Sequence, residues 1–318
     1  MLFFLRRNFL IRVLLLFSSA IVSIFIPIRF LSTCQFKLVS HEFFLMGTYG
    51  KINVFVNNVF SGKLILKAAI FRISEIDHVM TKFDKTSDLN IINSNINLYN
   101  FMSSDLMFVL FFGRVITRMT YGYFDMGMGN FIAKLHLDSM VPIVGGIASL
   151  DNFSLELFDV IGNKVRVDRI NTMLDLGGIG KGYAIDEAAN VLIHGGLDHF
   201  IIEFGGDIRA FGGTPDGMPW KISMDDRLSF LFNNFGNVFY LHSGSVASSG
   251  GYLKKSVENH HIINPVDVCF DEKYHLVIVV GDSAMICDAL ATACYNMDYN
   301  TLLKVKDNFI GYDIRVFV

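Results

Sequence analysis

Apolar residues along this chain follow several distinct periods. Between Lys63 and Lys82 they recur at Leu66, Ile70, Ile73, Ile76 and Val79/Met80, the spacing of one helix face. Asp105–Thr120 carries a second helical pattern and runs into the turn Tyr121-Gly122-Tyr123-Phe124-Asp125. Tyr183–Ile193 predicts a third helix, closed by Gly195-Gly196, and Ser283–Asn296 a fourth. Strand patterns appear at Lys51–Val56 (KINVFV), Phe200–Glu203, Trp220–Met224, Val238–Leu241 and Leu276–Val280. Ser154–Val167 reads as a hairpin with Ile161-Gly162-Asn163 at its turn, and an irregular stretch rich in Met and Gly precedes it to about Leu150. Strands and helices mix without strict βαβ alternation, which predicts an α+β fold over a doubly wound sheet.

The N-terminus is patterned differently. Arg6, Arg7 and Arg12 precede an apolar run from Val13 to Ile28 that only Ser18, Ser19 and Ser23 interrupt. Basic residues ahead of an apolar run fit an export signal or membrane anchor, with the rest of the chain outside the cytoplasm. Leu31-Ser32-Thr33-Cys34 resembles a lipobox, whose cysteine is lipidated after cleavage. Residues 1–34 are therefore expected to be a signal or anchor and residues 35–318 the working domain, on the periplasmic side of an inner membrane. Lipoprotein and uncleaved anchor both remain open.

Charge and cysteines narrow the partners. The net charge is −3 and no basic block follows the N-terminus, so no nucleic-acid partner is expected. Past Cys34 only Cys269, Cys287 and Cys294 remain, without Cys-x-x-Cys spacing, and they form neither a disulfide framework nor a zinc site.

Chemistry concentrates in Asp175–Asp186, DLGGIGKGYAID. Glycine runs let backbone amides approach phosphate, and a lysine beside them offsets charge. Gly182 follows Lys181 where a Walker A loop needs Ser or Thr. Gly178-x-Gly180-x-Gly182 brings the last glycine one residue early for a Rossmann fingerprint. Four further stretches carry an open choice between structure and function. In CDALATA, Asp288 and Thr292 lie four apart, on one helix face, where they could share a hard cation or serve only the helix. His260-His261-Ile262-Ile263-Asn264-Pro265 offers a base or a simple turn. Glu203-Phe204-Gly205-Gly206-Asp207 is either a ligand-approach point or a hairpin bulge. Tyr123-Phe124-Asp125 and Lys82-Phe83-Asp84 could stack a flat ring or fill a core.

Taken in order, these stretches resemble the ApbE-type flavin transferases, the FAD:protein FMN transferases. The likeness runs through Phe44-Leu45-Met46-Gly47-Thr48, Met80-Thr81-Lys82-Phe83-Asp84, Gly122-Tyr123-Phe124-Asp125, DLGGIGKGYAID, Phe204-Gly205-Gly206-Asp207, Trp220-Lys221-Ile222, Ser249-Gly250-Gly251-Tyr252, HIINP and CDALATA. It implies a T-fold-like α+β architecture, mixed sheets packed with helices, and FAD extended across a central cleft. It implies FAD contacts at Met46, Phe83, Tyr123, Phe124, Asp125, Asp175, Lys181 and Ile263. Mg²⁺ is implied at Asp288 and Thr292, joined by the backbone carbonyl of Gly178. Lys181 would act with the metal on the pyrophosphate. His261 is expected as base or phosphate contact, with Asp288 as the alternative base.

The implied reaction moves the FMN half of FAD to a threonine hydroxyl of an acceptor protein, a redox membrane complex subunit, and releases AMP. Hydrolysis of FAD to FMN and AMP, or flavin binding without turnover, are the other readings of the same residues. Several positions depart from the family pattern: Asn264 for aspartate, Glu203 for asparagine, Gly251 for a polar residue, and Met126-Gly127 for Pro-Thr. None removes an implied metal ligand.

Overall fold

A computed structural model describes residues 36–130, 158–167, 173–224, 238–250, 262–267 and 273–318. The expected export segment with Cys34, the irregular stretch from 131 to 150, Gly251, and His260 and His261 lie outside these residues.

Strands β1 (Lys37–Leu45) and β2 (Thr48–Val56) are joined at Met46-Gly47, both with positive φ. Helix α1 (Val59–Met80) begins at Val59 and not at Lys63, because the Asn58 side chain accepts from the Phe60 and Ser61 amides and caps it. The short helix α2 (Asp88–Ser94) follows, capped by Ser87, then β3 (Asn100–Phe101) and α3 (Ser104–Met119), capped by Ser103. The expected hairpin forms as β4 (Phe158–Ile161) and β5 (Lys164–Val167), with Gly162 at φ 60° in its turn, and it joins β3 in a three-stranded sheet.

Helix α4 (Gly180–His194) starts inside the glycine run. Strands β6 (Phe200–Phe204) and β7 (Asp207–Phe211) pair antiparallel, Phe204 opposite Asp207, around the two-residue turn Gly205-Gly206. Both glycines have positive φ, 61° and 94°, which that tight turn requires and side chains resist. The remaining elements are β8 (Trp220–Ser223), β9 (Val238–Leu241), β10 (Gly244–Gly250), β11 (Leu276–Gly281), α5 (Ala284–Cys294), α6 (Tyr299–Asn308) and β12 (Asp313–Phe317).

The main sheet runs β1-β2-β6-β7-β10-β11-β12, and its pairings from β2 to β12 are all antiparallel. This is the α+β arrangement that the mixed element order predicts. Helices α1, α4 and α5 cover one face, with α4 packed against both neighbours. Residues Ile222 and Phe239 of the β8–β9 hairpin cover part of the other face, on Val246, Leu276 and Ile278. Alternate residues of β11, Val277 and Val279, point into the helix-side core. Burial on both faces explains the unbroken apolar run in β11.

Helices α4 and α5 hold each other's N-termini. Asp186 on α4 accepts from Ser283 Oγ at 2.7 Å and from the Ala284 and Met285 amides at 3.0 Å each. In return, Asp288 on α5 accepts from the Gly182 amide at 3.1 Å in the first turn of α4. Helix α4 has no side-chain cap of its own, so this carboxylate serves an amide that would otherwise lack a partner. The two helices touch so closely at Gly182 that a Cβ there would lie 2.4 Å from the Ala284 carbonyl oxygen and 2.6 Å from Met285 Cα.

Candidate active site

A cavity of about 470 Å³ opens where seven chain segments meet, within the roughly 300–1,000 Å³ usual for small-molecule sites. Its walls are Lys82 just past α1, the 123–125 turn, the glycine loop before α4, the β6–β7 hairpin tip, the end of β10, the 262–265 segment and one face of α5.

Lys181 stands at its centre. Its Nζ lies 3.2 Å from Asp207 Oδ2, and 3.1 and 3.2 Å from the two oxygens of Asp288. Burial alone would push the ammonium down, but the two carboxylates outweigh it and hold Lys181 above the usual lysine range. Burial pushes the Asp207 carboxyl up to about 7, with the like charge of Asp288 acting the same way and Lys181 opposing. Asp207 Oδ2 is buried and accepts no well-aligned hydrogen bond, despite its ion-pair contact with Lys181. Asp207 and Asp288 share this single ammonium, so the cluster keeps negative charge that a further cation would offset.

Thr292 faces the glycine loop from the next turn of α5. A Cβ built on Gly178 would lie 3.0 Å from Thr292 Oγ1 and 3.4 Å from Phe124 Cε2. Gly178, Asp288 and Thr292 therefore converge on one patch of the wall. Among the described residues, no three His, Cys, Asp or Glu side chains group closely enough to hold a metal by themselves. A cation here would rely on hydroxyl and carbonyl oxygen beside carboxylate, the donor set that Mg²⁺ prefers. The charge balance agrees. The wall carries four carboxylates, Asp125, Asp175, Asp207 and Asp288, against two ammoniums, Lys82 and Lys181.

The loop itself is braced from α2. Asn93 donates to the Leu174 carbonyl and accepts from the Leu174 amide, like one more strand residue. Asp175 then accepts from the Gly177 amide at 2.8 Å through Oδ1 and pairs with Lys82 Nζ at 2.8 Å through Oδ2. Both oxygens of Asp175 thus shape the loop, while the residue lines the cavity. In the 123–125 turn, Tyr121 and Gly122 take positive φ, and the Thr120 hydroxyl accepts from the Phe124 amide. Phe124 is buried as cavity floor, Asp125 accepts from the Gly127 amide, and the Tyr123 hydroxyl reaches Asp298 at 3.4 Å. Ile263 is buried and lines the same cavity. Beside it, Asn264 holds its turn by accepting from the Val266 amide and donating to Asp267.

The structure thus brings Tyr123, Phe124, Asp125, Asp175, Gly178, Lys181, Ile263, Asp288 and Thr292 to one cavity. Met46 and Phe83 are not among its lining residues. Met46 lies behind the start of α4, its Cε 3.5 Å from where a Gly180 Cβ would be, and its amide donates to Asp77. Phe83 is 87% exposed, with Lys82 Nζ 5.6 Å from its ring centre. Two charged wall residues lay outside the expected site set, Asp207 and Lys82. Asp207 had a signal in Phe204-Gly205-Gly206-Asp207. The hairpin turn and the ligand approach, posed as alternatives there, turn out to be one feature, since the hairpin tip is a cavity wall.

Comparison with known proteins places this geometry. The ApbE family model matches residues 46–313. The FAD:protein FMN transferase of Vibrio cholerae serotype O1 is 24% identical over 265 residues, which is 78% of this chain and 78% of that protein. The FAD:protein FMN transferase of Haemophilus influenzae is 24% identical over 263 residues, 76% of this chain and 75% of its own. Among solved structures, the ApbE protein of Thermotoga maritima aligns with a TM-score of 0.74 at 22% identity, covering 88% of this chain and 94% of that one. The flavin transferase ApbE of Vibrio cholerae gives 0.71 at 20% identity, covering 88% and 97%. These likenesses show that the two share the α+β fold described above.

Proposed function

This chain belongs to the ApbE family, and on that premise we propose that it is a flavin transferase that moves the FMN half of FAD to a threonine hydroxyl of a partner protein. The observation that carries the proposal is the convergence of Lys181, Asp207, Asp288, Thr292 and Gly178 in one cavity behind a glycine loop. The relatives named FAD:protein FMN transferase support the same reading.

In the proposed reaction the threonine oxygen attacks the FMN-side phosphorus of FAD. The bond from that phosphorus to the bridging oxygen breaks, AMP leaves with the bridging oxygen, and the hydroxyl proton passes to a base. Charge on the diphosphate must be offset throughout. Lys181 does this from the cavity wall, beside the N-terminus of α4 with its partial positive charge. Asp288, Thr292 and the Gly178 carbonyl would hold Mg²⁺, which when bound lends Lewis-acid charge to phosphate oxygens. Two carboxylates sharing the one Lys181 ammonium, and the excess of carboxylates on the wall, fit a cation there. Phe124 and Ile263 both offer apolar surface to the cavity, suited to a flat ring. His261, next to Ile262 on the wall, is the proposed base, with Asp288 as the alternative. We further propose that residues 1–34 carry the domain across the inner membrane and keep it on the periplasmic side.

The test is direct. The full-length chain in detergent is incubated with FAD, Mg²⁺ and an acceptor protein carrying a threonine flavinylation motif. Flavin fluorescence on the acceptor band of a denaturing gel is expected, with AMP in equal amount. No labelled acceptor beside an active control would sink the proposal. AMP formed at the same rate without acceptor would assign the site to FAD hydrolysis instead.

A further inference from the structure

We infer that Lys82 is a second charge-compensating lysine of this cavity, one that cancels Asp175 so that the glycine-loop wall accepts a diphosphate. The inference rests on the proposed FAD chemistry and adds a residue to its substrate recognition.

Asp175 poses a physical problem for a phosphate site. Its carboxylate sits on the wall beside Gly177 and Gly178, the part of the loop offered to the diphosphate. One oxygen is committed to the Gly177 amide at 2.8 Å, so the loop depends on it. Left uncompensated, that charge would repel an incoming phosphate at close range, where partial burial weakens solvent screening. Lys181 is held by Asp207 and Asp288. Lys82 meets Asp175 Oδ2 at 2.8 Å, with both side chains mostly withdrawn from solvent.

Lys82 is also held for this position. Its carbonyl accepts from Asn90 Nδ2 at 2.8 Å, and the preceding Thr81 carbonyl accepts from Ser87 Oγ at 2.6 Å. The Phe83 ring lies 5.6 Å from the ammonium, within cation–π range. The lysine is thus placed between a ring outside the cavity and a carboxylate on its wall. Its backbone is fixed by the same α2 segment whose Asn93 fixes Leu174. One short helix therefore sets both partners of the pair.

The experiment measures KM for FAD and kcat in the full-length chain for wild type, Lys82→Met, Lys82→Arg, Asp175→Asn and the double variant Lys82→Met/Asp175→Asn. Asparagine keeps an oxygen for the Gly177 amide while removing the charge. The expected result is a KM about tenfold higher in Lys82→Met, with kcat within about twofold, and a smaller change in Lys82→Arg. Added to Asp175→Asn, whatever that change does alone, Lys82→Met should move KM by less than about twofold, since no charge is left to cancel. An unchanged KM in Lys82→Met on the wild-type background would overturn the inference. So would an equal KM increase from Lys82→Met on the Asp175→Asn background, because lost packing is not repaired by neutralising Asp175. A wild-type chain without activity towards FAD would overturn the proposed function itself, an outcome distinct from either.

Discussion

Asp186 and Asp288 cap each other's helices: Asp186 on α4 takes three donors at the start of α5, and Asp288 on α5 takes an amide at the start of α4. Arg209 Nη1 adds a 2.9 Å ion pair to Asp186. Asp186→Ala removes a cap made of charge-assisted bonds and leaves Arg209 without its carboxylate. It should cost about 2–3 kcal/mol, read as a lower denaturant midpoint by circular dichroism. An unchanged midpoint would show that the exchange of caps contributes little.

Gly182→Ala tests the contact between the same helices. Alanine inside a helix normally stabilises relative to glycine by about 1 kcal/mol. Here the new methyl would lie 2.4 Å from the Ala284 carbonyl oxygen. Overpacking wins, and the variant should lose about 1–3 kcal/mol. A raised melting temperature would mean that α4 and α5 separate easily.

Asp288→Ala and Lys181→Met separate two roles at the cavity centre. Asp288→Ala should abolish Mg²⁺-dependent turnover while the chain stays folded. Lys181→Met should chiefly raise KM for FAD and destabilise the protein, since two carboxylates then face each other unpaired; partial exposure of the lysine puts the cost near the low end of about 3–5 kcal/mol. Wild-type turnover by Asp288→Ala would refute the metal assignment.

Asp207 sets a pH dependence. Its folded carboxyl sits at about 7, above the ordinary 3.8, so the folded chain binds this proton more tightly than the unfolded chain. Stability from this group is present at low pH and is lost as pH rises from 3.8 towards 7. Mg²⁺ held at the neighbouring Asp288 would disfavour that proton by its charge, so Mg²⁺ should raise the melting temperature more above pH 7 than below it. Asp207→Asn should flatten both trends. Metal-free wild type that gains stability across that interval, against an Asp207→Asn control that does not, would contradict the assignment.

Legibility followed periodicity. The faces of α1, α3, α4 and α5 were readable because their burial repeats at helix spacing, and β2, β6 and β11 of the main sheet because their runs are apolar and β-branched or aromatic. Helix starts were not: α1 depends on Asn58, outside the apolar run, and α4 begins among glycines with its cap on another helix. Strand β10, GSVASSG, is too small and polar to announce itself and earns its place by pairing on both edges. Helices α2 and α6 are too short to show a period. In the site, Lys181, Asp288 and Thr292 were legible through the ordered resemblance of DLGGIGKGYAID and CDALATA, since the spacing of Asp288 and Thr292 alone left their role open. Lys82 was not, because only the fold brings it to Asp175, 93 positions along the chain. Phe83 followed its neighbours in sequence and not in space.

The cavity draws its walls from segments between Lys82 and Thr292, and neighbouring strands such as β7 and β10 are distant in sequence. No local piece of the chain can prefigure it. It exists only where those long-range pairings have closed. A ligand lodged there would touch the hairpin tip, the start of α4, one face of α5 and the 123–125 turn together, so its binding energy would be felt as global stability. Hydrogen exchange should register that as slower opening of the whole sheet, with α1 and β11 protected as strongly as the residues that meet the ligand.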